Sequence, residues 1–68
     1  MRDPISGSVR DTGSGRLIAE LIFDTGTEYV EKRSMGKMMS FLEREHGVTA
    51  RNYRFKLSPV RFERKEAP

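Results

Sequence analysis

The residues of this 68-residue chain that come closest to a catalytic pattern are two aspartates, each in an Asp-Thr-Gly string, at Asp11–Gly13 and Asp24–Gly26. Two such carboxylates brought together can share one proton, so that one acts as base and the other as acid. His46 is the only histidine and there is no cysteine. A lone imidazole cannot build a ligand cluster, and without thiols there is no thiolate metal site, thiol nucleophile or disulfide. At the end of a helix, His46 reads instead as a partly buried or capping side chain whose charged form the dipole favours. Ser6–Gly7–Ser8 and Gly13–Ser14–Gly15 are too short, and too far from a helix start, to cradle a phosphate. The expectation is no catalytic residue, no metal ligand, no cofactor and no small-molecule substrate.

Leu21–Ile22–Phe23 before Asp24–Thr25–Gly26 resembles the active-site segment of an aspartic protease. The chain is shorter than even a half-size subunit of such an enzyme. The segment also runs into Glu28, Glu31, Lys32 and Arg33 rather than a further apolar strand. Asp-Thr-Gly is ordinary hairpin-turn chemistry, since Gly takes positive φ and Asp bonds to nearby backbone, and both strings are read as turns.

Charge carries more information. Residues 1–33 hold five basic and six acidic side chains, whereas residues 34–68 hold eight basic and four acidic ones, so the net +3 resides in the C-terminal half. Asymmetry of this kind points to an anionic partner. Arg54 and Lys56 alternate with Tyr53, Phe55 and Leu57, so the cations share one strand face and the apolar side chains the other. Arg51, Arg61 and Arg64 lie close by, and together these five form a candidate surface for nucleic acid or another anionic partner. Ile18 and Ile22 are a second candidate, because they sit on the strand face opposite the core and suit a protein contact.

The elements that position these residues follow from hydrophobic period. Met35, Met38, Met39 and Leu42 fall at i, i+3, i+4 and i+7, one face of a helix. Ser34 suits its N-cap and Gly47 the left-handed residue that ends it. The methionines are assigned to the core, with Phe41 on one flank. Leu17, Ala19, Leu21 and Phe23 alternate with Ile18, Glu20, Ile22 and Asp24, the strongest strand pattern in the chain. Thr27–Arg33 completes a hairpin with it. A helix starting near Glu28 would need Ser34 and Gly36 in its interior, which favours the strand. Residues 5–10 read as a weak edge strand. Residues 52–63 read as one strand bent at Ser58–Pro59 and placed at an edge, because proline lacks the N–H of a central strand. The order β-β-β-α-β implies an α+β fold: a small antiparallel sheet with one helix across one face. Residues 1–68 form one small domain, with 1–4 and 64–68 as loose tails.

Two binding readings follow. One is a small nucleic-acid-binding or regulatory module acting through the basic C-terminal strand. The other is a compact inhibitor or adaptor, of the sort phages and mobile elements encode, that binds a larger protein or itself through the sheet face or an edge strand. No stretch approaches the roughly 20 apolar residues of a membrane span, and no apolar run follows the N-terminus, so a cytoplasmic protein with no membrane partner is expected. A short helix with an apolar face needs its sheet. Replacing Leu42 with Asp is therefore expected to abolish cooperative thermal unfolding by circular dichroism. A cooperatively folded Leu42→Asp protein would mean the core lies elsewhere.

Overall fold

The computed structural model describes residues 2–66, in the order β1 (Ser6–Asp11), β2 (Leu17–Phe23), β3 (Gly26–Lys32), α1 (Met35–His46), β4 (Tyr53–Lys56) and β5 (Val60–Arg64). The strands form one antiparallel sheet in the order β3-β2-β1-β5-β4, and α1 packs on one face of it. The expected α+β architecture is present.

The helix forms as its pattern dictates. Ser34 is extended and its side chain accepts from the Lys37 amide at 3.2 Å. Gly47 takes φ 64°, and the N–H groups of Gly47 and Val48 bond back to Glu43 and Leu42 at 3.0 and 3.1 Å. Between these caps, Met38 and Leu42 are fully buried and Met39 and Phe41 half-buried. Met35, expected in the core, is 38% exposed and lies instead at a surface groove beside Val9, Leu17 and Val60. His46 sits between the rings of Phe23 and Phe41, with centroids at 5.6 and 5.7 Å. Both Asp-Thr-Gly strings lie in turns. Asp11 Oδ1 accepts from the Gly13 amide at 2.7 Å, and Asp24–Thr25 make the two-residue turn between β2 and β3. They occupy opposite ends of the seven-residue β2, about 20 Å apart at ~3.3 Å per residue, too far to share a proton.

Several expectations change. The weak first strand is not at an edge: β1 lies in the middle, between β2 and β5. Residues 52–63 are not one bent strand but the hairpin β4–β5, with Ser58 at φ 44° and a cis Ser58–Pro59 bond in its turn. Leu57, placed with the core by alternation, opens that turn and is 94% exposed. Of the segments expected as loose tails, 2–4 is packed into the fold and Arg64 belongs to β5; Met1, Ala67 and Pro68 lie outside the described residues. Pro4 is buried, and its carbonyl accepts a 2.8 Å hydrogen bond from the Tyr53 hydroxyl. The Arg2 guanidinium lies 4.1 Å from the Phe23 ring centre, pairs with Glu28 and donates to Thr25 Oγ1 at 3.0 Å. Val48, expected only as connection, is also buried.

The core has two parts. Over β2 and β3 the helix supplies Met38 and Leu42 against Ala19, Leu21 and Phe23. Over β1, β5 and β4 the cover is aromatic: Phe62 lies 5.7 Å from Tyr53, edge to face, and 6.0 Å from Phe55. Phe62 is paired across the strands with Gly7, and its ring occupies the space where a side chain at Gly7 would be. A β-carbon there would also stand 2.6 Å from the carbonyl oxygen of Glu20. Phe62 is fully buried and the carbonyl belongs to β2, so neither can yield cheaply. Gly7→Ala is therefore expected to destabilise the protein by about 1–3 kcal/mol, as overpacking does, lowering Tm by roughly 4–8 °C per kcal/mol in a domain of this size. An unchanged or raised Tm would show that β1 and β5 pack less closely than this.

Candidate functional site

With the inner face consumed by the core, the opposite face of the sheet is open. Alternation and register fix what it carries. One row across the five strands reads Tyr29, Glu20, Ser8, Arg61, Lys56. The next reads Thr27, Ile22, Ser6, Glu63, Arg54. A third, shorter row holds Glu31, Ile18 and Arg10. The serines of the central strand are short, so the face dips there into a trough of about 280 Å³. Its walls are Glu20 and Ile22 on one side and Arg61 and Glu63 on the other.

The face is divided chemically. Toward β3 the face carries Ile18 and Ile22 on either side of Glu20, with Tyr29 opposite Glu20; Tyr29 is 64% and Ile22 36% exposed. Toward β4 lie Arg54, Lys56 and Arg61. Lys56 donates to Glu63 Oε1 at 2.8 Å. Arg10, Arg54 and Arg61 make no ion pair among the described residues. Arg61 stands directly opposite Lys56, a like-charge pair whose repulsion is eased by the Lys56–Glu63 ion pair.

The five basic residues singled out by sequence are thus not one surface. Arg54, Lys56 and Arg61 share the open face. Arg64 is two residues from Phe62 and so lies on the inner side, where it bonds to Asp3 Oδ2 at 3.3 Å. Arg51 is in the turn before β4, outside the sheet. Ile18 and Ile22 are together on the open face, as their alternation with the core residues requires. Arg10 and Tyr29 belong to the same face and were not among the expected site residues. Among the described residues no group of His, Cys, Asp and Glu is arranged to hold a metal ion, and no helix is long and apolar enough to cross a membrane.

No protein-family model, curated protein or solved structure matches the chain, so its chemistry is read from its own geometry.

Tyr53 and Glu63 are displaced from their ordinary values. Burial raises the Tyr53 hydroxyl, reinforced by Asp3 and opposed by Arg64, which suits a phenol that donates to a buried carbonyl. Glu63 is lowered, first by its hydrogen bond to Lys56, then by the charge of Lys56 and, more weakly, of Arg54. A carboxylate with a lowered folded-state pKa adds stability that is complete above the unfolded-state value and is lost as pH falls through the folded-state value. The Glu63 side chain is about half exposed to solvent, so the effect on stability is small, but its titration is observable. NMR titration is expected to place the Glu63 carboxyl below the ordinary glutamate range, and Lys56→Met to return it toward that range. An unmoved Glu63 in the variant would mean that the 2.8 Å contact is not maintained in solution.

Proposed function

We propose that this chain is a non-enzymatic, cytoplasmic protein-binding module whose open sheet face is the interface. The observation that carries this reading is that one open face holds Ile18, Ile22 and Tyr29 toward β3 and, with them, the cations Arg10, Arg54 and Arg61, which make no ion pair among the described residues. Aromatic residues and arginine dominate binding energy in protein interfaces, where they fill pockets and exclude water. The fitting partner offers an apolar strip flanked by carboxylates, with a short projection to fill the serine-floored trough.

A nucleic-acid backbone is a poorer fit. Glu20 and Glu63 line the trough itself, so a phosphate chain crossing it would meet carboxylates. Lys56 is occupied by Glu63 and Arg64 by Asp3. Tyr29 is the one aromatic side chain on the open face, whereas binding single strands calls for stacking of successive bases.

Affinity capture with the tagged protein, from cells that express it, tests the reading. Wild type is expected to retain a larger protein in fixed stoichiometry. Ile22→Asp and Arg61→Glu, both at exposed positions, are expected to keep the same circular dichroism and Tm while weakening the complex by about 10- to 100-fold, as loss of a central interface residue does. Equal capture by the variants would overturn the proposal. So would tight binding of mixed-sequence DNA or RNA with a steep fall in affinity as salt rises.

A further inference from the structure

The two edges of the sheet are built differently. β4 is four residues long, carries Arg54 and Lys56, and ends at the Ser58–Pro59 turn, the features that blunt an edge against pairing. β3 is seven residues long, contains no proline, and pairs with β2 over its whole length without a bulge. A two-residue turn is closed by a hydrogen-bonded pair, here Phe23 and Gly26, and such pairs then alternate along the ladder. Gly26, Glu28, Val30 and Lys32 therefore spend their backbone groups on β2. Thr27, Tyr29 and Glu31 direct theirs away from the sheet.

Beside this edge, on the helix side, is a groove of about 340 Å³ lined by Lys32, Gly36, Lys37, Ser40, Phe41 and Arg44. Three of its six residues are cationic and none is a carboxylate. Lys32 Nζ lies 4.5 Å from the centre of the Phe41 ring. Lys32 and Lys37 have no ion-pair partner among the described residues, and Arg44 has only its chain neighbour Glu45, at 3.6 Å. The first helical turn holds no acidic residue, so Lys37 adds its charge to the positive end of the helix dipole. Of the acidic residues of β3, Glu28 is on the same sheet face as Lys32 but outside the groove, where it pairs with Arg2, and Glu31, on the open face, pairs with Arg16 at 3.2 Å. Lys37 and Arg44 are seven residues apart on α1, about 10 Å along its axis. Alternate side chains of an extended strand repeat every ~7 Å.

We infer that the β3 edge accepts an extended acidic peptide segment of another protein as a sixth strand, its alternate carboxylates lying in the groove against Lys32, Lys37 and Arg44. The backbone selects the class of ligand. A β edge offers N–H donors and C=O acceptors in alternation, which a peptide satisfies on both counts. A phosphodiester chain brings phosphate acceptors and leaves the outward carbonyls without donors. A second copy of this chain is disfavoured as well. Pairing β3 with β3 about a two-fold axis would put the Lys32, Lys37 and Arg44 of both copies on the same side of one sheet, cation against cation. This surface is separate from the open face, so the inference does not depend on the function proposed for that face.

The test uses the whole protein and two fluorescein-labelled peptides of equal length, one alternating Glu and Val, the other Lys and Val. The Glu-Val peptide is expected to bind by fluorescence anisotropy, more weakly as salt rises, and the Lys-Val peptide not to bind. Amide hydrogen exchange should slow at Thr27, Tyr29 and Glu31 when the Glu-Val peptide is bound. Lys37→Glu and Arg44→Glu, both on the exposed flank of α1, should each weaken binding by about tenfold with unchanged circular dichroism. Ile22→Asp and Arg61→Glu should leave it unchanged, which separates this inference from the open-face reading. The inference is overturned by equal affinity for both peptides, by binding without slowed exchange along β3, by tighter binding of single-stranded DNA in the same groove, or by a concentration-dependent dimer that protects the same amides.

Discussion

The structure depends on one absent side chain. Gly7 has no β-carbon, so the Phe62 ring can lie on the backbone of β1 and close the half of the core that the helix does not reach. Glycine inside a strand costs about 0.5–1 kcal/mol relative to alanine. Burying a phenylalanine ring stabilises by about 1.5–3 kcal/mol, so the packing outweighs the backbone penalty. The serines on either side of Gly7 point the other way and make the floor of the trough on the open face. Ser6–Gly7–Ser8 thus sets the depth of the core on one side of the sheet and the shape of the candidate interface on the other.

A chain of this length has too little apolar surface to cover a five-stranded sheet with a second full layer. One 12-residue helix spans β2 and β3, and the remaining strands are covered by aromatic rings standing on the sheet itself. The N-terminal segment completes that cover: Pro4 lies beneath the Tyr53 hydroxyl, and the Ile5 backbone bonds to both Ile22 and Arg64. The ion pairs that tie the periphery, Arg2–Glu28, Arg64–Asp3 and Arg16–Glu31, are all solvent-exposed. Pairs of this kind contribute about 0–1 kcal/mol each, so they orient segments more than they hold the fold. Arg2 adds packing to charge, because its guanidinium lies over the Phe23 ring.

What could be read from the sequence was what local physics decides. The helix was legible to the residue, since its apolar period and both caps fall within fourteen consecutive positions. β2 and the two hairpin turns were legible for the same reason. The position of β1 was not. Ser-Gly-Ser has little strand propensity, and what places it in the centre is a ring 55 residues away in the chain. The split of the last strand was half visible, because Pro59 marked the break while nothing marked the reversal. On the open face, alternation sufficed for Arg54, Lys56, Arg61, Ile18 and Ile22. The same rule excludes Arg64, which shares a face with Phe62. Arg10 gives no such signal, because the alternation of Ile5, Gly7 and Val9 is too weak to mark which face of β1 meets the core. The signal for Tyr29 was its alternation with Val30, which is half-buried under the helix.

These placements make β3 the strand on which the two exposed surfaces meet. Its odd-numbered residues send side chains to the open face and backbone groups to the edge; its even-numbered residues face the core, and Lys32 also lines the basic groove. The two surfaces differ in charge because of what stands behind them. On the open face every strand contributes, so Glu20, Glu31 and Glu63 are interleaved with the cations. In the groove only the end of β3 and one flank of α1 contribute, and that flank carries Lys37 and Arg44 without a carboxylate. A strand added to β3 would extend the open face by one row beside Tyr29 while placing its other side chains in the groove. Tyr29 would then lie inside a six-stranded sheet rather than at its margin, so that occupancy of the edge would alter the surface presented by the face.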